Sequence, residues 1–164
     1  MSSQKKPHQQ FMSDTKSILL SRLAYARSFP VGSWVNRFTR PDIVIVQEPA
    51  SGRPDIQGVK SHQGFYDQVY LVECKINPRD LENAPYQLLL AMGSFRGQGM
   101  LDLAHGGVRP TLAVPRSLEE SMNAEGAFNQ VIEIFRELHF GLIIVDQERR
   151  DYTSLLWSES FMGG

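Results

Sequence analysis

The sequence predicts an α/β domain, with a central mixed β-sheet flanked by α-helices, from three observations. Short β-branched runs alternate with longer stretches in which apolar residues recur at helical spacing. Two runs, "VYLVECKIN" (69–77) and "FGLIIVDQ" (140–147), read as buried strands, as expected of a sheet covered by helices. The chain has 164 residues, 41% apolar and 21% charged, which is globular composition and the length of one domain.

The elements follow in order. Residues 1–10 read as a flexible N-terminal tail, leaving 11–164 as a single domain. "SDTKSILLSRLAYARSF" (13–29) predicts a first helix, with Ser13 or Asp14 as N-cap and Leu19, Leu23 and Ala26 in phase. "PDIVIVQEP" (41–49) is β-branched and bounded by proline, hence a strand, and "RPDIQGVK" (53–60) is a weaker one. "SHQGFYDQ" connects it as a hairpin to "VYLVECKIN". Asn83 caps a helix through "APYQLLLAMGSF" that Gly97 and Gly99 end. "TLAVP" (111–115) is a short strand. "SLEE" (117–120) fits a capping box for a helix continuing through Phe128, Val131, Ile132, Phe135 and Leu138. "FGLIIVDQ" closes the series, and the C-terminal segment carries no clear signal. Trp34 and Trp157 read as packing residues.

Composition narrows the functional classes. The longest apolar run, "FGLIIV", is too short to span a bilayer, and "MSSQKKPHQQ" lacks the apolar core of a signal peptide, so no membrane association and a cytoplasmic, intracellular protein are expected. The single cysteine, Cys74, can form neither an internal disulfide nor a Cys-rich zinc site. Net charge is −1, but it is unevenly spread: residues 1–100 carry 12 Lys and Arg against 8 Asp and Glu, whereas 101–164 carry 5 against 10. Such an asymmetry fits either a face turned toward phosphates or ordinary solvated surface.

Within "VYLVECKIN", Glu73 and Lys75 interrupt an apolar run and share one face of the strand, while Val72, Cys74 and Ile76 share the other. An acid and an amine beside a core incur desolvation, tolerated where the pair has partners or a task. A plain ion pair at a sheet edge is one explanation. Another comes from the motif: "GRPDIQGV" followed by "VYLVECK" resembles the PD-(D/E)xK nuclease superfamily, whose restriction-endonuclease-like fold is shared by restriction enzymes, Holliday-junction resolvases and repair nucleases. Pro54 and Asp55 match the first half of the motif and Glu73, Cys74 and Lys75 the second, with the surrounding element order extending the likeness over 13–115.

The resemblance implies a Mg²⁺- or Mn²⁺-dependent endonuclease acting on DNA, with no organic cofactor. Asp55, Glu73 and the backbone carbonyl of Cys74 would hold the cation, since hard cations take oxygen ligands, and Lys75 would assist the attacking water. Gln87, on the helix after the motif, joins the catalytic set by the same likeness, and a homodimer is expected because one such site cuts one strand at a time. Arg53, Lys60, Arg79 and Arg96 are candidate phosphate contacts. A nuclease-fold module that has lost catalysis and binds nucleic acid or protein is the alternative.

"RPD" occurs twice, so the first acid has two candidates. A hairpin turning near Gly64 and Phe65 brings Asp55 opposite Cys74, one residue from alignment with Glu73, and a bulge of one residue would correct the face. Asp42 instead requires residues 47–68 to be an insertion between paired strands. Asp55 is therefore the expected ligand and Asp42 the alternative. The four histidines, His8, His62, His105 and His139, show no metal-ligand spacing.

Overall fold

The computed structural model of the protein describes residues 5–31, 39–47, 68–97, 107–159 and 161. Its six strands form one sheet in the order β1-β2-β3-β4-β5-β6: Ala26–Ser28, Ile43–Gln47, Gln68–Cys74, Val108–Pro115, Gly141–Asp146 and Asp151–Leu156. β3, β4 and β5 run parallel at the centre, while β1–β2, β2–β3 and β5–β6 are antiparallel. The expected α/β class with a central mixed sheet flanked by helices is what forms.

Two crossovers step along the sheet in the same direction, β3 to β4 and β4 to β5, so connections of one hand lie on one face. Three helices fill them: α2 (Ala84–Gly97), α3 (Arg116–Ala124) and α4 (Phe128–Leu138). They bury Leu88, Phe95, Leu118, Phe128 and Phe135 against Val44, Val46, Val69, Leu71, Leu112 and Leu142. The opposite face belongs to α1 (Lys5–Arg22), whose Phe11, Ile18 and Leu19 pack on Ile43, Ile45, Val72, Cys74, Ala113 and Ile143. Successive strand residues thus alternate between two cores, as the period of two requires. No helix among the described residues is long and apolar enough to cross a membrane.

Several boundaries differ from the sequence reading. α1 begins at Lys5, inside the stretch expected to be a tail, and ends at Arg22, so residues 26–28 are strand rather than helix. Burial decides this: Phe11 is 1% exposed and Thr15 and Ile18 lie in phase with it, while Pro7 sits in the first turn, where its missing N–H costs nothing. Asp14 is consequently mid-helix and caps nothing. The long helix expected after "SLEE" is two helices, broken where Gly126 takes φ +72°, and α3 starts after Pro115 with no side-chain cap. Beyond β3, Pro78–Glu82 forms a 3-10 turn before α2. The unassigned C-terminal segment supplies β6, and Trp157 after it is 73% exposed rather than packed.

The largest correction concerns strand pairing. β3 carries β2 on one edge over Gln68–Val72 and β4 on the other over Val69–Cys74, so both edges are taken by strands other than the expected hairpin partner at 53–60. The chain between the paired residues Gln47 and Gln68 is thus the insertion that the alternative required, one residue shorter at each end than expected. Residues 53–60 themselves lie outside the described residues.

Candidate metal centre

The register places the acids. Ile43 lies opposite Val72 in the antiparallel β2–β3 pair, so Asp42, one residue earlier, comes opposite Glu73, one residue later. Residues directly opposite share a face, so the two side chains leave the sheet together without a slip or bulge, Glu73 on the α2 side and Asp42, just outside β2 at the sheet's end, also within reach of α1. The Asp42 carboxylate is anchored there by the Cys74 N–H, which donates to Oδ2 at 2.8 Å. β3 ends at Cys74, and the Lys75 N–H continues the ladder by donating to the Ala113 carbonyl at 3.1 Å, which holds the Lys75 backbone in place beside the pair.

Burial and charge then act on Glu73. It is 4% exposed, and its carboxyl is pushed up to about 8: burial contributes most, the Asp42 charge next, and a hydrogen bond shared with the Asp42 side chain also raises it, against the opposing pulls of the Lys75 ammonium and the Asp42 backbone. Two facing carboxyls in a desolvated corner therefore retain a proton between them at neutral pH. The Cys74 side chain points to the other face, fully buried, with its thiol pushed up by burial and then by Asp42 and Glu73, which makes it a packing group rather than a nucleophile.

One neighbour lies outside the motif. His8, in the first turns of α1, places Nε2 at 2.9 Å from the Cys74 carbonyl and 3.7 Å from Asp42 Oδ2. A carbonyl only accepts, so Nε2 carries the hydrogen. Three residues separate His8 from Phe11, and that spacing extends the buried stripe of α1 backward; reading the stripe upstream of Ser13 is the signal that could have found it. A cleft of about 280 Å³ between α1 and the start of β2, lined by Gln9, Met12, Ser13, Lys16, Asp42 and Ile43, opens Asp42 to solvent, while Glu73 stays buried behind it.

The remaining candidates divide. Gln87 is on the flank of α2 adjoining Ala84, Leu88 and Ala91, on the same side of the sheet as Glu73, and its Oε1 is buried with no hydrogen-bond partner among the described residues. Arg79 is exposed in the 3-10 turn directly after the motif. Arg96 is in the last turn of α2, nine residues beyond Gln87 and so roughly 13 Å further along the helix. Asp55, Arg53 and Lys60 lie outside the described residues.

The donor set suits a hard cation. Two carboxylates and the Cys74 carbonyl are oxygen ligands, and Mg²⁺ keeps several waters, so few protein ligands suffice. Among the described residues no group of three or more His, Cys, Asp or Glu side chains could hold a metal.

No family profile and no curated protein matches the chain. Among solved structures, an XisH family protein from Nostoc punctiforme PCC 73102, determined as a crystal structure at 1.60 Å resolution, is similar: TM-score 0.54 and 14% identity, covering 91% of this chain and 98% of that one. At that identity the likeness shows the fold alone, and it agrees with a restriction-endonuclease-like α/β core.

Proposed function

We propose that the protein is a metal-dependent nuclease that hydrolyses DNA phosphodiester bonds. The observation that carries this reading is the alignment of Asp42 with Glu73 on one face at the end of β3, with Lys75 next in the chain and the Cys74 carbonyl between them. The likeness in fold to the XisH family protein supports it at the level of architecture. Asp42 takes the role first expected of Asp55.

Asp42, Glu73 and the Cys74 carbonyl would hold Mg²⁺ or Mn²⁺, which when bound supplies positive charge to the phosphate and acidifies a water. Glu73 gives up its proton on metal loading, since ligating carboxylates are ionised. Lys75 orients the attacking water and offers positive charge to the developing phosphorane oxygens. The Oε1 of Gln87, without a partner among the described residues, is an acceptor suited to fixing a water on the same side. Arg79 would contact the backbone of the DNA next to the scissile position. The products are a 5′-phosphate and a 3′-hydroxyl.

The test incubates purified protein with linear duplex, single-stranded and four-way-junction DNA, with and without Mg²⁺ or Mn²⁺. Cation-dependent cleavage of any of them, abolished in Lys75→Ala by about 10²–10⁴-fold while Mn²⁺ binding persists, is the expected result. Metal-independent DNA binding with no cleavage in any condition would point to the non-catalytic module. Light scattering with and without DNA tests the homodimer that cutting both strands of a duplex calls for.

A further inference from the structure

Near the start of α1, His8 makes a polar contact to the sheet, and it makes it at the atoms a cation needs. Nε2 donates to the Cys74 carbonyl at 2.9 Å and stands 3.7 Å from Asp42 Oδ2, the oxygen that also accepts the Cys74 N–H. Mg²⁺ or Mn²⁺ must approach oxygen ligands to about 2.1 Å, far inside these separations. The imidazole N–H, a positive dipole end aimed at the carbonyl and the carboxylate together, therefore occupies the approach that the cation would use.

We propose that His8 is a positioning residue that stands in for the cation: in the metal-free protein it holds the Cys74 carbonyl beside Asp42 and clamps the first turns of α1 over the site, and cation binding displaces it. This inference rests on the nuclease reading, because it takes Asp42 and Cys74 as the ligands. It also makes metal loading a conformational event. Further along α1 the helix is held independently, by Asp14, Ser17 and Arg22 against the β5–β6 turn, so release would be confined to the stretch before Phe11. Gln9, in that stretch, lines one side of the 280 Å³ cleft next to Asp42, and its departure would widen the way to that carboxylate.

Three proteins at one fixed pH, full-length and metal-free at the start, test this: wild type, His8→Ala and His8→Gln, the last keeping an amide N–H at the position of Nε2. Mn²⁺ affinity by calorimetry should be about fivefold tighter in His8→Ala, equivalent to ~1 kcal/mol at ~1.4 kcal/mol per tenfold, because no hydrogen bond has to break, and His8→Gln should return toward wild type. Amide hydrogen exchange over residues 5–11 should rise in wild type when Mn²⁺ is added, the reverse of the usual protection by a ligand, and should already be high in metal-free His8→Ala. Weaker Mn²⁺ binding in His8→Ala, or protection of residues 5–11 on loading, overturns the proposal by making His8 a ligand or an orienter. If wild type binds no Mn²⁺ at all, the metal centre itself falls, and the displacement inference falls with it. Cleavage by a protein in which His8→Ala leaves Mn²⁺ affinity unchanged overturns only the inference about His8.

Discussion

Asp14 and Glu73 are both poorly exposed acids, yet their surroundings act on them in opposite ways. Asp14 is met by donors: Gln147 Nε2 at 2.7 Å, Gln10 Nε2 at 3.0 Å and Arg150 Nη1 at 3.0 Å, and these, led by the Gln147 hydrogen bond, pull its carboxyl below the ordinary value. Glu73 is met by burial and by another acid, and its carboxyl goes up to about 8. One arrangement engages both carboxylate oxygens inside the protein and ties α1 to the β5–β6 turn. The other leaves acceptor capacity over, under repulsion, at the end of a strand. Satisfied carboxylates hold structure together, whereas an unsatisfied facing pair is stable only with a proton or a cation between its members.

The sharpest way to break this contrast is to remove an acid from the facing pair. Asp42→Asn should abolish Mn²⁺ binding by calorimetry and lower cleavage by several orders of magnitude, each ~1.4 kcal/mol of lost transition-state stabilisation being about tenfold in rate. Asp55→Asn is the control and should keep both within a few-fold. Loss of both in Asp55→Asn with retention in Asp42→Asn would return the ligand role to Asp55.

A second comparison uses pH on the metal-free protein. Because the Glu73 carboxyl is raised from 4.5 to about 8 by folding, the folded state binds a proton that the unfolded chain releases earlier, so its contribution to stability is complete below about 4.5 and is lost as pH rises through about 8. Thermal melting of wild type should therefore fall across that window, by an amount on the order of a few kcal/mol, while Glu73→Gln stays flatter and is the more stable protein at pH 9. Mn²⁺ affinity should run the other way in wild type, strengthening as pH rises toward about 8, since the cation competes with that proton. A wild-type melting curve indifferent to pH between 5 and 9 would sink the shared-proton account.

The smallest effect is expected at the satisfied acid. Asp14→Ala should lower stability by about 1 kcal/mol and leave Mn²⁺ affinity untouched, a typical loss for one hydrogen-bonded surface group. Its sign with pH is opposite: a lowered carboxyl stabilises above the ordinary value of 3.8 and loses that contribution as pH falls through its folded value, so wild type and Asp14→Ala should converge in acid. A change in Mn²⁺ affinity here would mean that the two regions communicate along α1.

The same contrast explains what was legible in the sequence. Glu73 and Lys75 stood out because two charges in an apolar strand violate the local pattern, and the βαβ order on either side of them could be read from periodicity alone. Asp42 was visible as an alternative but ranked second, since sequence proximity favoured a hairpin from 53–60, and only the register of Ile43 opposite Val72 decides which acid faces Glu73. His8 was hidden by the polar residues "KKPHQQ" around it, whose helicity comes from the burial of Phe11 and Ile18 on the sheet rather than from their own composition. Two of the three partners of Asp14, Gln147 and Arg150, are 133 and 136 residues away, a separation no local rule spans.

The register of β2 on β3 also constrains how this chain can change. Five consecutive pairs, Ile43 with Val72 through Gln47 with Gln68, fix Asp42 relative to Glu73 independently of how many residues join the two strands. Insertions or deletions within 48–67 leave that alignment intact, and closing a longer connection costs only about 0.6 kcal/mol per doubling of its length. A single-residue insertion within 43–47 is different in kind: it takes Asp42 out of alignment with Glu73 and carries the β2 side chains before it to the wrong core. Length variation among descendants of this sequence is thus expected to accumulate between the paired strands and to be absent inside them.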